Sequence, residues 1–273
     1  MKWNFPLAED ELQEATKRYM RFKRPFQLQG DVGDLVNQIL DEEADKIAVR
    51  HGDDRALSAL IGPALGKAMK TFQAVERNCV LGFGEDAAVL VRTNVNLLIN
   101  IAYIVTDEKP NDRCAEWRAD TWVRHVKWIK QAYDQDVDPT DAPFPPDKLN
   151  DLAKRWSDVS IADRAKKVPP HHYKIGYKFY SSLEHSDAHA IGGYISDWNE
   201  IGPKIESGPR DSHIEVVLVH NADVMALILH LVCRYWGIER PDIFDRLAGL
   251  FTAFSQAPSD ARHSLDSTQS AGH

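Results

Sequence analysis

Arg92, Asn96 and Tyr103 recur at intervals of four and seven within a stretch that is otherwise almost wholly apolar. On a helix these spacings bring them to one face, with Asn100 near them. A guanidinium in such surroundings needs a partner, because an unpaired buried charge is costly. A second set, Tyr177, Ser181, Glu184 and His185, has spacings of four and three. A third, His220, Asp223, His230 and Arg234, runs along another apolar stretch. If the three stripes converge, they can do acid–base chemistry, with Glu184 or His185 as general base and Arg92 holding an anion. The same groups can instead form a buried hydrogen-bond network in which Arg92 pairs with Glu184 or Asp223.

Metal ligation has its own candidates: His171, His172, His185, Asp187 and His189. His185 and His189 are four apart, so one helix could present both to an ion. The nearby Gly192-Gly193 suggests that the helix ends here. There is no HExxH, no paired Glu-x-x-His and no CxxC, so no cofactor is favoured. Arg118–His125 and Arg164–His171 match the Arg–His spacing of compact helical ribonucleases of the HEPN type. Each carries Ala after the Arg, where that superfamily usually has a polar residue. In a chain with 11 histidines such a short pairing arises by chance. A Gly-rich phosphate loop and a nucleophile elbow are both absent.

The elements that must position these groups read as helices. Apolar periodicity near 3.6 and breaker residues predict them over Leu7–Lys23, Asp31–Arg50, Arg55–Leu81, Asp86–Thr106 and Arg113–Tyr133. Further helices are predicted over Asp147–Trp156, Ser160–Lys167, Tyr173–His185, His213–Gly237 and Pro241–Ala253. Pro25 and Gly30 are expected to break the chain, and Gly62-Pro63 to kink the fourth helix. Residues 134–147 read as an irregular loop. No convincing alternating strand is present. The tryptophans Trp117, Trp122 and Trp128 are expected to anchor the core. The predicted class is all-α. It is a multi-helix bundle around two apolar central helices, one domain over 1–254, followed by a disordered tail over 255–273.

A hydrophobic fraction of 43% and a charged fraction of 27% are those of a soluble globular protein. The formal net charge of −8 argues against a broad phosphate-binding surface, so nucleic acid is not favoured as a partner. Three widely separated cysteines and no secretory signal point to a reduced, cytoplasmic location. The two apolar helices are interrupted by Arg92, Asn94 and Asn96, and by His220, Asn221 and Asp223. They are therefore expected to be core helices rather than membrane spans.

Two motifs carry a resemblance. One is an apolar helix opened by Arg, LVRTNVNLLINIAYI; the other is Tyr177, Ser181 and His185 in YKFYSSLEHSDAH. On these the chain resembles an uncharacterised, mostly bacterial helical family, domain-of-unknown-function family 5677, over about Leu57–Trp198. The resemblance implies a helical bundle and no established activity. In that family an acidic residue commonly follows the helix Arg by four positions, where this chain has Asn96. The expected function is that of a domain binding a small ligand or a partner protein through the polar cluster. The alternative is a hydrolase, either a metal-free HEPN-like ribonuclease or a metal-dependent enzyme using Glu184, His185 and His189.

Overall fold

The computed structural model describes residues 8–53, 55–184, 195–199, 202–205 and 208–256. The first helices are α1 (Glu9–Arg21), α2 (Lys23–Glu42), α3 (Ala44–Asp53), α4 (Arg55–Leu81), α5 (Gly84–Val105) and α6 (Pro110–Tyr133). After an irregular stretch come α7 (Pro146–Asp158), the short α8 (Ile161–Arg164) and a 3-10 turn (Ala165–Lys167). A π-helical segment (His172–Phe179) then runs into α9 (Tyr180–Glu184). Strands β1 (Ile195–Asn199) and β2 (Gly202–Ile205) precede α10 (Ile214–Trp236) and α11 (Pro241–Gln256). By contact the chain divides into two units, Met1–Glu239 and Arg240–His273. The disordered tail expected over 255–273 lies outside the described residues from 257 onward; Ser255 and Gln256 still belong to α11.

The core is built where the apolar periodicity is strongest. α5 packs against α4 and α10, and α10 packs also against α4 and α2. Val91, Val95, Leu98, Ile99 and Ala102 of α5 and Val217, Val224, Ile228 and Val232 of α10 are sealed from solvent. Both helices are long and apolar enough to cross a membrane by length and composition, and about three-fifths of each apolar window is buried inside the protein. Glu85 and Asp86 place negative charge at the positive end of α5. α10 ends on Gly237 in the left-handed region (φ 68°). From there Ile238 N–H reaches back to the Cys233 carbonyl at 2.9 Å, a Schellman closure. Buried amides sew the helices together. The Phe72 carbonyl of α4 accepts from Gln29 Nε2 of α2 at 3.0 Å and from Asn221 Nδ2 of α10 at 3.2 Å. Asn94 Nδ2 of α5 donates to the Ala68 carbonyl at 3.2 Å.

The bundle is all-α in class, and three local expectations are corrected. Pro25 and Gly30 do not break the chain. Pro25 is the third residue of α2, in the first turn, where no N–H is needed, and Gly30 carries only a propensity cost. α4 runs on through Gly62-Pro63, and the Ala59 carbonyl that Pro63 leaves without a helix donor belongs to an exposed residue that water can reach. Ile195–Asn199 and Gly202–Ile205 pair as a small antiparallel ribbon, Ile195 opposite Ile205, which suits a stretch where Gly202-Pro203 excludes helix. Among the tryptophans, Trp117 stacks on the buried Trp156 at 5.8 Å, whereas Trp128 is 54% exposed.

Candidate functional site

The polar face of α5 finds partners one level at a time. Arg92 Nε donates to Ser181 Oγ at 2.7 Å, and its guanidinium lies over the Tyr177 ring at 4.9 Å. Ser181 Oγ in turn donates to the Tyr177 carbonyl at 2.6 Å. Asn96 is exposed and takes no part. Asn100, buried, accepts from Arg164 Nη1 at 2.8 Å, and that guanidinium lies 4.3 Å over Trp156. Tyr103 meets the edge of Trp156 at 5.7 Å and the Arg113 guanidinium at 5.7 Å. Burial raises the Tyr103 phenol above its ordinary pKa, against the opposing pull of Arg113.

Asp223 is engaged elsewhere. Its Oδ2 lies 3.2 Å from His171 Nε2 and 3.5 Å from His172 Nε2. Glu184 closes α9, and its side chain lies outside the described residues, as do His185, Asp187 and His189. His230 and Arg234 are on the exposed side of α10. Along α10, His220 is buried, Asp223 is half-buried, and His230 and Arg234 are exposed. At about 100° per residue Arg234 stands only about 40° around the axis from His220, so it is the cover given by neighbouring elements at each level, and not the angle alone, that divides the stripe. The Arg164–His171 pair is likewise divided between the Trp156 and Asp223 clusters.

What the fold assembles is a chain of ring and carboxylate groups between the π-helical segment, α9 and α10. Pro169-Pro170 end the preceding turn and open the segment, since Pro is tolerated in a first turn. This puts His171 and His172 at its start. The π geometry is explicit at the other end, where Tyr180 N–H reaches the Ile175 carbonyl five residues back. His172 Nδ1 lies 3.1 Å from His220 Nε2, and His220 Nδ1 lies 3.2 Å from Tyr180 Oη. His172 and Tyr180 are sealed and His220 is buried. The close approach depends on Gly176. A Cβ there would stand 2.6 Å from His220 Cε1 and 2.7 Å from Val95 Cγ2.

Burial dominates the electrostatics. It pushes His172 down to about 3, helped by His171 and His220, and pushes His220 down to about 4, helped by His171. Both rings are neutral at physiological pH, the form in which imidazole binds metals. Burial raises the Tyr180 phenol, with Cys79 adding to the effect. His172 Nε2 is one of six buried side-chain atoms among the described residues with no hydrogen-bond partner, and the one of them that belongs to a cluster of metal-ligating groups. It faces Asp223 and His171, and the donor atoms of His171, His172 and Asp223 all lie within 4.8 Å of one another. Metal–donor bonds of about 2.1 Å in a tetrahedron put donors about 3.4 Å apart. The two distances to Asp223 Oδ2 already fit that spacing. His171 and Asp223 are 50% and 34% exposed, so one side of the cluster opens to solvent.

The fold and this cluster define a helical protein with a His-His-Asp centre at the margin of its core. The chain belongs to a family of unknown function (DUF5677), whose profile matches residues 58–202. That span holds Arg92, His171, His172, Tyr177 and Ser181, whereas His220 and Asp223 lie beyond it. No curated protein and no solved structure matches the chain.

Proposed function

We propose that this protein binds a divalent transition-metal cation at His171, His172 and Asp223 and uses it as a hydrolytic centre. The observation that carries the reading is the buried His172 Nε2, which lacks a hydrogen-bond partner and faces a second imidazole and a carboxylate. Three nitrogen and oxygen donors without a thiolate suit zinc, cobalt or iron(II) rather than calcium or magnesium. Three protein ligands with one side open are the pattern of catalytic sites, whereas structural sites close with four. Such a cation supplies Lewis acidity and a nucleophilic water at neutral pH. The chain supplies two imidazoles, a carboxylate and a solvent-facing position. In this reading the metal is the ligand bound between helices, and the centre lies at His171, His172 and Asp223 rather than at Glu184, His185 and His189.

The test is titration of chelator-stripped protein with Co2+ and Zn2+ by calorimetry and visible spectroscopy, alongside hydrolysis of p-nitrophenyl acetate and p-nitrophenyl phosphate. One cation per chain is expected, with Asp223→Asn weakening it by at least about tenfold and abolishing metal-dependent hydrolysis. Absence of stoichiometric binding to the wild-type protein overturns the reading. If binding is intact but neither ester is hydrolysed in a metal-dependent way, the hydrolytic half is rejected for these two ester classes.

A further inference from the structure

We propose that His220 and Tyr180 are positioning residues that fix the tautomer of His172, so that its Nε2 lone pair points at the cation. The inference rests on the metal-binding reading of the His171–His172–Asp223 cluster and extends it inward, to groups that the cation does not touch.

The three groups form one chain, with separations of 3.1 Å and 3.2 Å, in which His220 turns Nε2 to His172 Nδ1 and Nδ1 to the Tyr180 hydroxyl. A neutral imidazole has one donor and one acceptor nitrogen, so the protons along the line are coupled. If His172 Nε2 carries the lone pair, Nδ1 carries the hydrogen and donates to His220 Nε2. His220 then carries its own hydrogen on Nδ1 and donates to Tyr180 Oη. In the opposite arrangement Tyr180 donates to His220, His220 donates to His172 Nδ1, and the His172 Nε2–H points at the site. Only the first arrangement can hold a metal. It needs His220 as acceptor, because His172 is sealed from water that could replace it. Ligating histidines are commonly held this way by a group on the other ring nitrogen. Gly176 makes the arrangement possible, since any larger residue would displace His220.

The experiment compares Co2+ affinity in the full-length wild-type protein, His220→Leu and His220→Gln, with circular dichroism to confirm folding. Leu removes the acceptor and is expected to weaken binding by roughly 10- to 100-fold, while Gln, whose amide oxygen can accept, restores most of it. In parallel, 15N NMR of the Zn2+-loaded wild-type protein should show His172 in the Nδ1–H tautomer. If wild-type protein binds no Co2+, the metal reading itself fails. If wild-type protein binds and folded His220→Leu binds within twofold of it, the metal reading stands and the positioning role is overturned. Should His220→Leu not fold, Tyr180→Phe takes its place with an expected loss of a few-fold, and an Nε2–H tautomer in the loaded wild-type protein overturns the inference outright.

Discussion

His172 and His220 face each other through ring nitrogens 3.1 Å apart, one from the start of a π-helical segment and one from the buried side of α10. Both are held neutral by burial. An exposed histidine has a pKa near 6.5. Between about pH 6.5 and the folded values of about 4 and 3, the unfolded chain therefore binds more protons than the folded one. Stability present above pH 6.5 must drain away as the pH falls through this window. Urea unfolding in excess chelator at pH 7.5, 5.5 and 4.5 should show this loss, and His172→Gln should show a shallower one. Parallel profiles for the two proteins would remove burial of His172 as a source of pH sensitivity.

Gly176→Ala should destabilise the protein by about 1–3 kcal/mol, because the new methyl meets His220 Cε1 and Val95 Cγ2 at distances real Cβ atoms do not occupy. The measurement is a urea midpoint at unchanged slope. A shift under about 0.5 kcal/mol would mean that the π-helical segment does not lie this close to α5 and α10.

Arg92 and Ser181 should be coupled by about 1 kcal/mol in a double-mutant cycle built from Arg92→Met and Ser181→Ala. The cycle isolates this hydrogen bond from the Tyr177 contact and from any other interaction of Arg92. A coupling indistinguishable from zero would separate the two side chains in solution.

Asp211 joins α1 to the chain just before α10, accepting from Arg18 Nε at 2.8 Å and from Arg21 Nη1 at 2.5 Å. Arg18 is nearly sealed, and its Nη1 also donates to the Val80 carbonyl. Asp211→Ala leaves that guanidinium without its carboxylate and should cost about 2 kcal/mol, read by thermal or urea unfolding. Asp211→Asn should recover part of it. Equal stability of all three proteins would show that the pair contributes nothing.

Much of the scaffold is legible in the amino-acid sequence. Arg55–Leu81 has the predicted ends, and α5 runs two residues earlier at its start because the Gly82–Gly84 turn closes sooner than the acidic cap suggests. The meeting of Arg92 with Tyr177 and Ser181 is legible too, as two polar stripes on apolar helices. The exposure of Asn96 is not, since a period of four says which face a residue occupies and nothing about whether that face is covered. The His171–His172–Asp223 cluster is hidden for a related reason. Its members are visible singly, but 52 residues separate His171 from Asp223, and only tertiary packing brings them together. The π turn before α9 leaves no periodic signature in eight residues.

The Phe72 carbonyl, which accepts from both Gln29 and Asn221, bears on how the molecule opens and closes. This junction is complete only when α2, α4 and α10 are all in place. Detaching α2 or α10 breaks one of these bonds and leaves the carbonyl its other donor, whereas detaching α4 breaks both and leaves two amides without their shared acceptor. Opening of α4 should consequently cost more than opening of α2 or α10, and the amide hydrogens of α4 around Phe72 should exchange the slowest of the three.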